Sequence, residues 1–237
     1  MLKIEKTEVY GWEAAIRGMR NPMNSWEKSD SLFFREDKGD VCTINDRRSA
    51  SLDLVELGEN DLALMMKLRN AGTDHRKFMR MIMVSFDITA PLYWWKEFDT
   101  YKVGTVANSC STMHKIHDKE FTLDDFSHEH LYLDSEEMLK KVIKGLNAYR
   151  EDFLDCTVSK YATADECKAL KKEYWWQMIQ MLPSSYNQKR TVMLNYEVLA
   201  NIYKSRKNHK LDEWHTFCDW IESLPYSELI TGGEGNG

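Results

Sequence analysis

The apolar positions of the chain repeat with two different periods, and each change of period marks a new element. Between residues 79 and 89 apolar residues alternate with polar ones, so that Ile82, Val84 and Phe86 share one side. This alternation predicts a half-buried strand, which Pro91 ends because proline has no N–H to donate to a neighbouring strand. The short segment 4–10 has the same character and predicts a second strand.

Elsewhere apolar residues return every three or four positions, which is the period of a helix packed on one side. The predicted helices span residues 12–19, 61–70, 92–102, 134–153, 163–182, 191–207 and 211–224. Asp134 with Glu137, and Thr163 with Glu166, have the spacing of capping boxes that open a helix. The pattern therefore predicts a helix-rich α+β fold with a small sheet.

The distribution of glycine and proline indicates how the chain is divided. Four prolines and 11 glycines leave few positions for a linker, and the polar stretch 24–53 is predicted to be rich in loops. The only low-complexity segment is the glycine-rich end, residues 232–237, which is typical of a flexible tail. We predict a single domain over residues 1–231, followed by that tail.

Charge and cysteine content narrow the class of protein. A formal net charge of -6 argues against a nucleic-acid polymer or a membrane surface as partner, because both attract basic proteins. No apolar run approaches the ~18 residues of a membrane span, and the N-terminus lacks a signal-peptide core. Five scattered cysteines without a CxxC pair favour reduced thiols over a disulfide framework or structural zinc. These features predict a cytoplasmic protein.

Three polar residues of the predicted helix 191–207 are candidates for ligand binding. Asn195, Asn201 and Arg206 lie near the margins of its apolar stripe. Asparagine offers a donor and an acceptor to a base edge, and arginine offers a planar fork to a phosphate. On residue types alone, a surface helix with capping or solvated asparagines and an ion-paired arginine is the favoured alternative.

Two other sets of residues could form a metal site or a reactive thiol, and neither interpretation is favoured. His114, His117, His128 and His130, with acidic residues between them, fit no specific zinc spacing, so a solvated charged loop is favoured and no metal is predicted. Cys110 lies eight residues after Lys102, which would favour a reactive thiol. No His–Asp partner accompanies it, and we interpret it as a substituted serine or a core residue.

The candidate residues carry a resemblance to the flavin-dependent thymidylate synthases. In that family a Leu-Pro pair is followed by an asparagine, a second asparagine six residues later and an arginine after five more. Leu182-Pro183, Asn195, Asn201 and Arg206 reproduce this register without a gap, and the segment 209–214 resembles the family's His-Ala-Gln-Trp segment. The family's arginine before Leu-Pro is replaced here by Ile179.

A second, eroded match begins at Ala90-Pro91. The family's Arg-His-Arg signature corresponds to the segment 100–102, Thr-Tyr-Lys, and counting on without gaps places Cys110 at the signature serine. A slip of one residue instead places Ser111 there and Asn108 at the asparagine before it. Both registers stay open. His75 matches a family histidine that precedes the strand.

The resemblance implies a role for each matched residue. Asn195, Asn201, Tyr101, Lys102 and His75 would bind FAD. Arg206, Asn108 and Cys110 would bind the substrate, and Arg206 and Ser111 would be catalytic. It also implies a mostly antiparallel sheet and a homotetramer with active sites between subunits.

The implied activity is methyl transfer to a pyrimidine deoxynucleotide, from dUMP to dTMP. Methylenetetrahydrofolate supplies the methylene and NADPH the reducing power, while reduced FAD relays the methylene and delivers hydride. Loss of two signature arginines, at Thr100 and Lys102, keeps two alternatives open. One is an inactive homologue that binds a nucleotide or a protein partner on the same scaffold. The other is an enzyme acting on a different pyrimidine nucleotide.

Overall fold

The computed structural model describes residues 2–34, 41–42, 54–156 and 163–232. The predicted flexible tail, beyond Gly232, lies outside the described residues, as does most of the stretch predicted to be rich in loops. Within the described residues, every helix is too short or too polar to cross a lipid bilayer.

Helices dominate the described residues. The helices are α1 Trp12–Arg20, α2 Glu59–Asn70, α3 Leu92–Phe98, α4 Thr112–Lys115, α5 Leu133–Asp155, α6 Ala164–Met181, α7 Tyr196–Arg206, α8 Asp212–Glu222 and α9 Glu228–Thr231. The strands are β1 Lys3–Tyr10, β2 Leu32–Phe34, β3 Val41–Cys42, β4 Leu54–Glu56, β5 Met83–Pro91, β6 Val106–Ser109 and β7 Asn187–Asn195. A four-stranded sheet has the order β1-β5-β7-β6, and β2 lies between β3 and β4 in an antiparallel three-stranded sheet. The predicted helix-rich α+β class with a small antiparallel sheet is confirmed.

Most predicted elements lie within a few residues of their observed bounds. α6 begins as its capping residues predict: Thr163 is the N-cap, and its hydroxyl accepts the Glu166 N–H at 3.2 Å. The predicted strand 79–89 is shorter at its start, because residues Arg76–Arg80 form a 3-10 turn ahead of β5. The predicted helix 92–102 ends early, at Phe98.

The predicted helix 191–207 is wrong over its first five residues. Residues 191–195 belong to β7, and the helix begins only at Tyr196. Burial in this segment has period two: Val192 and Leu194 are fully buried, whereas Thr191 is exposed. A period of two places alternate residues on opposite faces of a sheet, so the segment satisfies a strand although its residues also fit a helical stripe.

The capping prediction at Asp134 is also wrong. α5 begins one residue earlier, at Leu133, and its N-cap Tyr132 makes no side-chain capping bond. Asp134 and Glu136 lie instead in the first turn, where their negative charges favour the partly positive end of the helix dipole.

The chain divides into two compact units. Unit 1 comprises residues 1–3, 88–100 and 108–190, and unit 2 comprises residues 4–87, 101–107 and 191–237. A single domain over 1–231 stays a prediction. The core of unit 1 is an apolar cluster contributed by α5, α6 and the segment before α5, and its buried members are Ile116, Phe121, Phe126, Leu139, Ile143, Leu146 and Met178.

Unit 2 contains a buried ion pair between α1 and α2. The Nε and Nη2 groups of Arg20 both lie 2.7 Å from one carboxylate oxygen of Asp61. The other oxygen accepts the hydroxyls of Ser29 and Ser31 at 2.7 Å, and the N–H groups of Asp30 and Ser31 at 3.2 Å. Both ionic side chains are almost wholly excluded from solvent.

The partners of Asp61 determine its pKa. Burial by itself raises the pKa of this carboxyl group, because it penalises the charged form. The hydrogen bonds from Ser29, Ser31 and Arg20, together with the Arg20 charge, outweigh burial and hold the pKa below its usual value. Asp61 is therefore ionised at neutral pH.

We expect Asp61→Asn to lower the free energy of unfolding by about 3–5 kcal/mol, because it leaves the Arg20 charge buried without a counter-charge. Urea denaturation at pH 7 measures this change. Since the folded-state pKa is depressed, the stabilisation from Asp61 is complete above its unfolded-state pKa and disappears as pH falls through the folded-state pKa. The unfolding free energies of parent and variant should therefore converge in acid.

The matched control is Asp118→Asn, which removes an exposed carboxylate 3.1 Å from Lys115. Exposed ion pairs contribute at most about 1 kcal/mol, so this variant should unfold close to the parent. Equal losses from both substitutions would show that the buried pair has no special weight.

Candidate functional site

The residues predicted to form a site fall into two groups. Asn195, Asn201, Arg206, Tyr101, Lys102 and His75 belong to unit 2. Asn108, Cys110 and Ser111 belong to unit 1. Each group has its own geometry.

Asn195 ends β7 and is the N-cap of α7. Its Oδ1 accepts the Val198 N–H at 3.0 Å, which satisfies one of the free N–H groups at the start of the helix. Its side-chain amide also packs against Gly104: a Cβ added at that glycine would lie 3.1 Å from Asn195 Nδ2, and Gly104 has a φ of +79°. Asn195 is therefore buried, and its acceptor atom is already used.

Asn201 lies on the exposed part of α7 and is contacted by an arginine that the sequence analysis missed. Arg76 donates from Nη2 to the Asn201 side-chain oxygen at 3.2 Å, and from Nε to Glu197 at 3.2 Å. Arg80 also donates to Glu197. His75, the residue before Arg76, is exposed. The structure therefore brings Asn201 and the His75 segment together through Arg76.

Glu197 holds these two arginines from a largely buried position on α7. Burial raises its pKa, but the hydrogen bonds and charges of Arg80 and Arg76 outweigh that effect and lower it. Two sequence signals would have found the group. A glutamate interrupts the apolar stripe of the predicted helix, and the two arginines are four residues apart.

Arg206, at the end of α7, is bound by aromatic residues. Its Nε donates to the Tyr101 hydroxyl at 2.9 Å, and its guanidinium carbon lies 4.8 Å from the Trp214 ring centre. A guanidinium packed against aromatic rings is stabilised by a cation–π interaction, which together with the Tyr101 hydrogen bond fixes its orientation. The pairing of Tyr101 with Arg206 therefore brings two predicted site residues into direct contact.

Lys102 follows Tyr101 in the turn that leads to β6. Its carbonyl accepts the Thr105 N–H at 3.3 Å, and its side chain is exposed. Among the described hydrogen bonds, none joins Lys102 to another predicted site residue of unit 2.

The three predicted residues of unit 1 follow one another along β6 and the start of α4. Asn108 is exposed on the strand. Ser111 is the N-cap of α4, and its hydroxyl accepts the His114 N–H at 3.1 Å. Cys110 has an exposed side chain, and its backbone is held by β7: its N–H donates to the Lys189 carbonyl at 2.9 Å. In one register Ser111 takes the position of the family's serine, and its oxygen caps α4. In the other register Cys110 takes that position, and its side chain is exposed.

Cys110 and Ser111 both line a pocket of about 270 Å³ within unit 1. Its other lining residues come from the end of β5, from α4, from the segment before α5 and from the start of β7: Thr89, Thr112, Lys119, Asp124, Asp125, Tyr186, Asn187, Gln188 and Lys189. No arginine is among the described residues that line it. This volume is close to that of the smaller ligand pockets of proteins.

The polar groups of the pocket are mostly neutral or paired. Lys119 forms an ion pair with Asp125, which also accepts the Thr122 N–H at 2.8 Å. Burial, assisted by the charge of Asp125, raises the pKa of the Tyr186 phenol. Tyr186 therefore stays protonated at neutral pH and presents a hydroxyl donor.

The histidines weighed as metal ligands lie in separate surroundings. The His117 ring packs 4.4 Å from the Phe153 ring, and His128 Nδ1 lies 2.8 Å from the Phe126 carbonyl oxygen. Across the described ranges, no three histidine, cysteine or acidic side chains are grouped closely enough to hold a metal ion.

Comparison with solved structures shows what this fold resembles. A crystal structure of the flavin-dependent thymidylate synthase ThyX from Helicobacter pylori, in complex with FAD and dUMP, superposes with a TM-score of 0.60 and 14% identity over 97% of this chain and 98% of that chain. A second structure of that enzyme with FAD and dUMP gives the same values. The UMP/dUMP methylase PolB from Streptomyces cacaoi, bound with 5-Br dUMP, gives a TM-score of 0.55 and 11% identity over 98% of this chain and 95% of that chain.

These likenesses confirm the predicted fold. No family model matches the sequence, and no curated protein matches it.

We expect Asn195→Ala to lower the free energy of unfolding by about 1 kcal/mol relative to Asn195→Ser, because serine can still accept the Val198 N–H and alanine cannot. Both variants remove the side-chain amide, so the difference isolates the cap. Chemical denaturation of the two proteins measures it. Equal stabilities would mean that the capping bond is not a net contributor.

Proposed function

We propose that this protein is a divergent flavin-dependent thymidylate synthase-like enzyme that methylates a pyrimidine deoxynucleotide, with dUMP as the first substrate to test. The observation that carries the proposal is the pairing of Arg206 with Tyr101, because both residues occupy matched positions of the family's motifs. The fold likeness to ThyX and PolB supports it. We also propose a homotetramer, which native mass spectrometry would test.

The donor chemistry of unit 2 fits a flavin dinucleotide. The edge of an adenine can form hydrogen bonds with side-chain amides, and a diphosphate is attracted by cationic side chains. Asn201 supplies an exposed amide beside Arg76, and Arg80 is half exposed while it is held by Glu197. In this proposal Asn201, Asn195, His75, Tyr101 and Lys102 bind FAD, which would supply the methylene relay and the hydride, with NADPH and methylenetetrahydrofolate as co-substrates.

Arg206 is proposed to bind and polarise the nucleotide. Its guanidinium is oriented by the Tyr101 hydroxyl and by the Trp214 ring, so little side-chain freedom remains to be lost when an anion binds. In unit 1, Cys110, Ser111 and Asn108 are separately proposed to contact a nucleotide base or sugar, because the pocket around Cys110 presents neutral donors such as Tyr186. Ser111 would assist catalysis from its position at the start of α4.

A second candidate is an inactive homologue that binds a nucleotide or a protein partner. The observation that favours it is the pocket of unit 1, where Lys119 is paired with Asp125 and arginine is missing from the described lining. Phosphate is bound most firmly by bidentate arginine, so such a pocket would hold a nucleotide less firmly than an arginine-lined one. The PolB likeness also keeps a different pyrimidine nucleotide in view.

We expect purified protein to bind FAD, and the binding to weaken about tenfold in Asn195→Ser, because the variant loses one amide donor but can keep the helix cap. Flavin absorbance during FAD titration measures this. The control Asn60→Ser removes an exposed amide from α2 of the same unit and should bind FAD like the parent. A protein that binds neither FAD nor dUMP would contradict the proposal.

We expect dTMP to form from dUMP when FAD, NADPH and methylenetetrahydrofolate are present, and kcat/KM to fall about a hundredfold in Arg206→Lys, because lysine lacks the planar fork. Product analysis by chromatography measures turnover, with UMP assayed in parallel. Lys204→Met, an exposed change on the same helix, is the control and should turn over normally. Binding of dUMP without any product would favour the second candidate.

A further inference from the structure

Cys110 is held by two consecutive residues of β7 in unit 1. Its N–H donates to the Lys189 carbonyl at 2.9 Å, and its carbonyl accepts Nε2 of Gln188 at 3.0 Å. Both backbone polar groups of Cys110 are thus engaged. The peptide unit that precedes Ser111 therefore has a fixed orientation next to the pocket.

Gln188 is buried, and its side-chain amide is bound at both ends. Its Oε1 accepts Nε of Arg190 at 3.1 Å while its Nε2 serves Cys110. An amide with a donor partner on one side and an acceptor on the other has a single orientation. The backbone of Gln188 is held as well, since its carbonyl accepts Trp95 Nε1 at 2.9 Å.

Arg190 is fixed by three contacts. Its Nη1 donates to Asp99 at 2.8 Å, its Nε donates to Gln188, and its guanidinium carbon lies 4.1 Å from the centre of the Trp95 ring. This uses the planar fork and its flat face together, which a lysine cannot reproduce. A chain of contacts therefore runs from Asp99 through Arg190 and Gln188 to the Cys110 carbonyl, and we call it the relay.

We propose that Gln188 and Arg190 are positioning residues that hold Cys110 in one conformation in the lining of the pocket, and so decide which group of the 108–111 segment meets a ligand there. The relay explains why Cys110 lines the pocket while the Ser111 oxygen caps α4. The meaning of the pocket as a nucleotide site rests on the proposed function. The positioning itself does not.

Gln188→Glu is the sharpest variant, because a glutamate still accepts from Arg190 but cannot donate to the Cys110 carbonyl. We expect hydrogen exchange of the Cys110 amide to accelerate about tenfold, because the loss of one hydrogen bond at the Cys110 carbonyl makes local opening about that much more frequent, although the N–H keeps its bond to Lys189. The alkylation rate of Cys110 by iodoacetamide, followed by peptide mapping, should change as well. The melting temperature should fall by only about 2–4 °C, since the Arg190 contact persists.

Gln180→Glu is the matched control, because it makes the same chemical change at an exposed position of α6 in the same unit. Its Cys110 exchange and alkylation should equal the parent's. Arg190→Lys is the second variant, and it should accelerate exchange because an ammonium cannot hold Asp99 and Gln188 in the same geometry. If Gln188→Glu fails to fold, this variant decides the question. Unchanged exchange and alkylation of Cys110 in a folded variant would overturn the proposal.

Alkylation in the presence of dUMP distinguishes a failure of this inference from a failure of the proposed function. Added dUMP should slow Cys110 alkylation in the parent and protect less in Gln188→Glu. If dUMP gives no protection in the parent while exchange still responds to Gln188→Glu, the relay stands and nucleotide binding at this pocket is wrong.

Discussion

The carboxylate of Asp61 is the group on which the N-terminal part of unit 2 depends. One of its oxygens binds Arg20, and the other accepts hydrogen bonds from residues 29–31. The Asp61 carboxylate therefore joins α1, α2 and the chain between them. Asp30 completes the arrangement from the opposite direction, because its carboxylate accepts the N–H groups of Asn60 and Asp61 at the start of α2. Gly58 has to be glycine here, since a Cβ would lie 2.1 Å from the Asp30 carboxyl carbon. Buried charge is acceptable in this place only because every polar group has a partner.

Glu197 is a second carboxylate that pairs with arginines, but its arginines lie nearer the surface. It too is a largely buried carboxylate that holds guanidinium groups, but Arg80 remains half exposed and Arg76 reaches on to Asn201. A carboxylate that orients arginines at the surface restricts their motion and lowers the entropy lost when an anion binds, while it also competes with that anion for the same charges. The balance of these two effects would set how firmly the arginines hold the phosphates of the proposed FAD. Arg206 differs in that a phenol hydroxyl and an indole ring, from Tyr101 and Trp214, help to orient it.

The sequence predicts the elements whose signals are local. Thr163 caps α6 through a residue three positions away, and the face of α8 that carries Trp214, Phe217 and Ile221 is buried as its spacing indicates. The start of α7 was misplaced because residues 191–195 are compatible with both periods, and strand pairing, a tertiary effect, decides between them. Residue types alone favoured capping asparagines, and Asn195 is such a cap, but the misplaced start put it inside the predicted helix instead of at its N-terminus. The relay from Arg190 to Cys110 could not be predicted, because Gln188 and Cys110 are 78 residues apart and neither belongs to a recognisable pattern.

The two registers left open by the sequence differ in physical consequence. In one register the family's serine is Ser111, whose oxygen accepts the His114 N–H and which keeps its hydroxyl proton and a second lone pair for a ligand. Cys110 has an exposed thiol and a backbone fixed on both sides, so it can present a weak donor in a defined direction. A thiol is larger and less polar than a hydroxyl, and it offers a ligand a softer contact with little hydrogen-bond strength. A pocket that exchanges a hydroxyl for a thiol therefore depends more on shape and on neutral donors such as Tyr186 for recognition than on charge.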